Sequence, residues 1–244
     1  MALPLSSEPL QLQVLHTFTI LQELRSDWGG ALILSLGLES PGAALTLAAN
    51  IAGAVSLSLD DDPVRVREIV RSGMVDFGVT TLDEAIRTMK NELRQHRPLS
   101  VVLNAPIRPV LAEIAERGLA PQLFSSFFPW TPDLASFALE LNQLGTTLLD
   151  LDENSPTGHP LPGLLSASPL LASLLERNQW KLYTATFESA SSLRDFDSRA
   201  LQYLSPTENL RRRWLESAPR LLHRQRPPQR VLWLTSAEAA DLLP

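Results

Sequence analysis

The chain contains no cysteine, and that single absence removes disulfides, thiolate metal sites and cysteine nucleophiles together. Histidine is scarce as well. His16, His96, His159 and His223 form no H-x-x-x-H pair and have no acid partner at ligand spacing, so no metal centre is expected. No G-x-S-x-G elbow marks a serine hydrolase. No apolar run approaches the length of a bilayer-crossing helix. The start, Met1-Ala2-Leu3-Pro4-Leu5, has neither the basic residues nor the long apolar core of a signal peptide. Positive charge is also in short supply. The 21 Lys and Arg against 27 Asp and Glu leave a net charge of −6, which gives no general attraction to nucleic acid or to anionic membranes. The expectation is a soluble, cytoplasmic protein that binds neither.

What is present is a sizeable core: 244 residues, 44% of them hydrophobic. From residue 31 the chain alternates apolar strands with helical patterns. Ala31–Leu36, Ala54–Leu59, Val75–Thr80, Leu99–Asn104, Gln122–Ser126 and Thr146–Leu151 read as strands, nearly all apolar, as in a parallel sheet covered on both faces. The helix starts are marked by Asp62 before Pro63, by the capping pair Thr81 and Glu84, and by Thr131-Pro132-Asp133. Leu82, Ala85, Ile86, Met89 and Leu93 are spaced as one buried helical face. The fold class expected is α/β: a doubly wound, mostly parallel, Rossmann-like sheet over residues 31–152, preceded by a helix over Leu10–Leu24. The Pro- and Gly-rich "ENSPTGHPLPG" then marks a linker. Beyond it the patterns predict a helix over Pro169–Arg177, a strand over Lys181–Phe187, helices over Ser191–Tyr203 and Pro206–His223, a strand over Arg230–Leu234 and a final helix.

A dinucleotide site needs backbone N–H groups at a helix N-terminus for the pyrophosphate, and an acid at the end of the second strand for the ribose. The candidate turn is Gly37-Leu38-Glu39-Ser40-Pro41-Gly42-Ala43, with Asp60 as the acid, about twenty residues on. There is no G-x-G-x-x-G. Pro41 removes one donor, and the Glu39 carboxylate repels phosphate unless it points away. Ser40 as N-cap with Pro41 as first helical residue accounts for the turn on structural grounds alone. Asp60-Asp61-Asp62 reads as capping and solvation, because side chains on an extended chain alternate and three neighbours cannot face one metal. The basic stretch 210–230 reads as the solvated face of a helix whose buried side is Leu210, Trp214, Leu215, Leu221 and Leu222.

The stretch "LTLAANIAGAVSLSLDDDPVRVREIVRSGMVDFGVTTLDEAIRTMKNELRQHRPLSV" closely resembles the NAD-binding domain of the urocanases, the urocanate hydratases of histidine degradation. "ALELNQLGTTLLDLDEN" and "ENLRRRWLESAPRLLHRQRPPQRVLWLTSAEAADLL" are similar to later parts of the same family. The resemblance spans most of residues 10–244 and is most specific over 44–105. It implies that residues 1–30 and 153–244 are a remnant of the family's core domain, and that the protein is a homodimer. It also implies a tightly held NAD⁺ that acts as an electrophile toward the imidazole of urocanate.

On the matched positions, the resemblance places the cofactor contacts at Ser40, Gly42, Asp60 and Arg65, with Asp60 in the role of the ribose-binding acid. Other family positions have changed. The polar Q-T-S-A-H contacts fall on Phe127-Phe128-Pro129-Trp130-Thr131, the tyrosine of F-D-Y on Leu151, and the active-site cysteine on Leu232. Glu238 keeps the glutamate of G-x-G-E-R, but the arginine after it is Ala239. Most of the family's N-terminal part has no counterpart here, so an open substrate shell is expected. The reading is a urocanase-like protein without hydratase activity, carrying no catalytic residue and holding, at most, NAD or another nucleotide-type molecule in a residual pocket. The other reading is an interaction protein in which the apolar run Phe124–Trp130 fills the former cofactor site or faces a partner.

Overall fold

The computed structural model describes residues 9–151, 161–222 and 226–243. Met1–Leu5, most of the linker, His159 and His223 lie outside the described residues.

Helix α1 (Leu10–Leu24) leads into a repeating strand and helix order: β1 (Leu32–Leu36), α2 (Ser40–Ala52), β2 (Val55–Leu59), α3 (Pro63–Ser72), β3 (Phe77–Val79), α4 (Leu82–Arg94), β4 (Leu99–Leu103), α5 (Ile107–Glu116), β5 (Leu123–Ser126), α6 (Pro132–Gln143) and β6 (Thr147–Asp150). After the linker come β7 (Leu164–Ser166), α7 (Ala167–Asn178), β8 (Lys181–Thr186), α8 (Ala190–Tyr203), α9 (Asn209–Leu221), β9 (Gln229–Leu234) and α10 (Ser236–Leu242). The first seven strands form one sheet in the order β3-β4-β2-β1-β5-β6-β7, and every neighbouring pair is parallel. The α/β class and the parallel sheet stand as the strand pattern predicts.

Alternation along the strands decides what each face touches. Leu34, Leu36, Leu57, Leu59 and Phe124 belong to a core with residues of α4, α5 and α6, whereas Ile33 and Leu123 belong to the core of α1 and α2. The second face is rich in serine. Ser35 lies beside Ser58 on β2 and Ser125 on β5, and the Ser35, Ser58 and Thr46 hydroxyls are linked at 2.9 and 3.1 Å. Small side chains on the sheet and Gly42, Ala43, Ala44, Ala48, Ala49 and Ala52 on α2 let the helix pack closely against it.

Two findings extend the sequence reading. β7 is a three-residue strand beyond residue 152, yet it hydrogen-bonds in register with β6 and carries the sheet past that boundary. The C-terminal elements share a core with α1 and α2, in which Trp214, Trp233, Phe196 and Leu232 join Phe18, Leu15 and Ile51. The basic stretch is not wholly a solvated face. Arg211 is buried and paired with Glu238 at 2.7 Å, and Arg230 binds Asp197 through two bonds of 2.8 and 2.7 Å. Each cation is inside because an acid from a neighbouring helix meets it there.

Candidate functional site at the strand ends

In an open parallel sheet, ligands bind where the strand order reverses, outside the C-terminal strand ends. Here that point lies between β1 and β5, and the turn Gly37–Gly42 stands directly over it. Gly37 has φ +89°, a conformation that favours glycine, and its N–H donates to the Leu59 carbonyl at 2.8 Å. Gly42 has a packing reason of its own. A Cβ built there meets the Gly37 carbonyl oxygen at 2.1 Å, so the first turn of α2 rests on the end of β1 with no room for a methyl group.

Ser40 corrects the sequence reading. The helix begins at Ser40, Glu39 is its N-cap without a side-chain bond, and the Ser40 hydroxyl donates to Gln13 Oε1 of α1 at 2.9 Å. The buried amide of Gln13 draws that hydroxyl away from the helix end, so α2 starts without a side-chain cap. Pro41 therefore occupies the second helical position.

Asp60 follows β2 and is wholly buried. Its Oδ2 accepts the Leu38 N–H at 2.8 Å and Arg65 Nη1 at 2.9 Å, and its Oδ1 accepts the Asp62 N–H at 2.9 Å. Asn104, at the end of β4, donates to the Asp60 carbonyl at 2.9 Å. Asp60 thus joins three strand ends, and one backbone donor of the candidate phosphate turn already serves a carboxylate of the same chain. Arg65 reaches in from α3, with Glu39 at 3.5 Å and Asp62 at 3.6 Å completing its acidic surround. The Asp60 hydrogen bond, reinforced by the nearby acids, holds the guanidinium pKa above its ordinary value. Asp62 caps α3 through bonds from the Val64 and Arg65 N–H groups, and these hold its carboxyl below the usual range.

The four residues singled out from the sequence therefore fall around one turn, but Ser40 turns to α1, Gly42 packs on Gly37, and Asp60 and Arg65 bind each other. Asn104 and Gln13, which complete the arrangement, carry no motif; only the position of Asn104 at a strand end hints at it. Phe127 and Phe128 continue β5 over the same turn. A Cβ on Gly37 meets Phe127 Cβ at 3.4 Å and the Phe128 ring at 3.5 Å. Phe128 also walls a groove of about 530 Å³ between α5 and α6, with Leu36, Ile107, Leu111 and Phe137 as its apolar lining and the Arg108–Asp133 pair at its rim. Leu151 and Leu232 are both core residues, 1% and 3% exposed. Among the described residues no group of three or more His, Asp or Glu is placed to hold a metal ion, and no helix is long and apolar enough to cross a membrane.

Residues 15–128, which contain α1 from Leu15 onward, the turn, Asp60, Arg65 and the strands from β1 to β5, match the family model of the urocanase Rossmann-like domain. Over that span the chain is a Rossmann-like homologue of the urocanase family.

Proposed function

We propose that this chain is a non-catalytic, urocanase-like scaffold whose dinucleotide crevice is closed by its own side chains, and that it acts through macromolecular contact. The observation that carries the reading is Asp60, buried and engaged on both carboxylate oxygens by Leu38, Arg65 and Asp62. A ribose approaching this acid would first have to displace a charge-assisted pair and two backbone bonds, which together are worth several kcal/mol in a site closed to water.

The residues do not fit NAD in other respects. Glu39 puts a carboxylate at the helix N-terminus where phosphate needs positive potential, Pro41 lacks an N–H, and the Phe127–Phe128 pair covers Gly37. Leucines at positions 151 and 232 supply neither a hydroxyl nor a thiol to hydrate urocanate. The test is direct. The purified chain, given urocanate and NAD⁺, is expected to leave the urocanate absorbance unchanged, and calorimetric titration with NAD⁺, NADH and adenosine nucleotides is expected to show no heat of binding. Turnover of urocanate would overturn the non-catalytic reading, and saturable nucleotide binding would overturn the closed crevice.

A further inference from the structure

The spacing of Leu82, Ala85, Ile86, Met89 and Leu93 predicts one buried face on α4, and the structure covers that face only in part. Leu82, Ala85 and Met89 are buried, but Ile86 and Leu93 are half-buried, as is Leu32 at the start of the central strand β1. All three open onto a cleft of about 390 Å³ between α4 and the end of α5. Its floor is the sheet at Leu34 and Leu57, and its far wall is Ile114, Leu119 and Pro121. The cleft lies toward the N-terminal ends of the strands, whereas the turn Gly37–Gly42 stands at their C-terminal ends.

Apart from two cations, every residue lining the cleft is apolar. Those two are Lys90 and Arg94, one helical turn apart on α4 and both exposed. Like charges at this spacing repel each other along a helix. The three acids of α4 do not relieve them, because each is engaged elsewhere. Asp83 holds Arg117 at 2.6 Å, Glu84 closes the capping box with Thr81, and Glu92 holds Arg97 at 2.9 Å. Glu113 of α5 also turns to Arg117. Among the described residues neither Lys90 nor Arg94 has an ion pair or a side-chain hydrogen bond.

We propose that this cleft binds an amphipathic anion, a straight-chain fatty acid, with its alkyl chain against Leu34, Leu57 and Met89 and its carboxylate between Lys90 and Arg94. The volume is that of a small-molecule site. The apolar side chains offer a polar body no hydrogen-bond partner, so what enters is hydrocarbon up to its head. All the charge in the lining is positive. A carboxylate matches the arginine fork and quenches the repulsion between the two cations. The free acid is the source and not a bilayer, because a net charge of −6 gives no general attraction to an anionic membrane. The inference stands apart from the reading of the crevice, which lies at the other end of the sheet.

Calorimetric titration of the full chain with sodium decanoate, kept below the concentration at which it forms micelles, is expected to show saturable one-to-one binding. Going from octanoate to decanoate is expected to tighten binding about fifteenfold, the effect of two methylenes at about 0.8 kcal/mol each. Lys90→Gln combined with Arg94→Gln is expected to weaken decanoate at least about tenfold. The melting temperature of that double variant without ligand should match the wild type, because both side chains are exposed and unpaired. Decanol, which has the chain without the charge, is expected to bind the wild type at least about tenfold more weakly than decanoate. Absence of saturable decanoate binding would overturn the proposal. So would decanoate binding that the double substitution leaves intact, or decanol held as tightly as decanoate.

Discussion

Replacing Gly42 with alanine separates packing from ligand binding at the turn. The added Cβ lies 2.1 Å from the Gly37 carbonyl oxygen, 2.9 Å from its carbon and 3.2 Å from Phe127 Cδ2. An ordinary contact between carbon and oxygen needs more than an ångström beyond the first of these. The obstacle is backbone, held by the Gly37 bond to Leu59 and by the Leu38 bond to Asp60, so the turn cannot yield alone and α2 must lift from the sheet. Overpacking of this kind costs about 1–3 kcal/mol, and an immovable obstacle puts the cost at the upper end. Alanine returns about 0.5–1 kcal/mol through its better helix propensity. The net is a loss of about 2 kcal/mol, which for a chain of this length lowers the melting temperature by about 4–8 °C. Differential scanning calorimetry of the two proteins measures it. An unchanged melting temperature would show that Gly42 is not needed for packing and would return it to the ligand-binding role.

Three further substitutions probe the internal network. Asp60→Asn removes the buried anion of Arg65, leaving it only the longer Glu39 and Asp62 pairs, and leaves one of the Leu38 or Asp62 N–H groups without an acceptor, so chemical denaturation is expected to show a loss of about 2–4 kcal/mol. Asp197→Ala strands the buried Arg230 guanidinium and is expected to cost about 3–5 kcal/mol by the same assay. Glu238 supplies a pH dependence. Burial pushes its carboxyl up, but the Arg211 hydrogen bond and the Thr235 N–H outweigh burial and hold the pKa below the ordinary value. A lowered pKa in the folded state means that its contribution is complete above the unfolded value of about 4.3 and fades as pH falls through the folded value. Stability measured from pH 6 down to about pH 3 should therefore fall less steeply for Glu238→Gln than for the wild type, and parallel curves would refute the pair.

The sheet was legible because its strands are short apolar runs between marked helix starts: Asp62 with Pro63, Thr81 with Glu84 and Thr131 with Pro132 all open helices in the structure. β7 was not, because Leu164–Ser166 is three residues long, too short for any period to emerge. The serine alternation in "LILSL" and "VSLSL" is the sequence trace of a face built for close approach by α2. At the site, the sequence singled out Ser40, Gly42, Asp60 and Arg65 without recording their partners. Ser40 looks like an N-cap until Gln13, 27 positions away in sequence, takes its hydroxyl. Asp60 looks like a ribose acid until Leu38, Arg65 and Asp62 converge on it. Such pairings depend on how distant elements meet, which local pattern does not record. The inward turn of Arg211 and Arg230 was hidden for the same reason, since Glu238 and Asp197 lie on other helices.

The closed crevice is tested most directly by thermal unfolding of the wild-type chain with NAD⁺ in large excess. A ligand at a hundred times its dissociation constant adds about 2.7 kcal/mol, which would raise the melting temperature of a chain this long by about 5–11 °C. The expected result is a melting temperature that does not move with NAD⁺ concentration. A rise that saturates with NAD⁺, and that Asp60→Asn abolishes, would contradict the assignment of Asp60 to the fold.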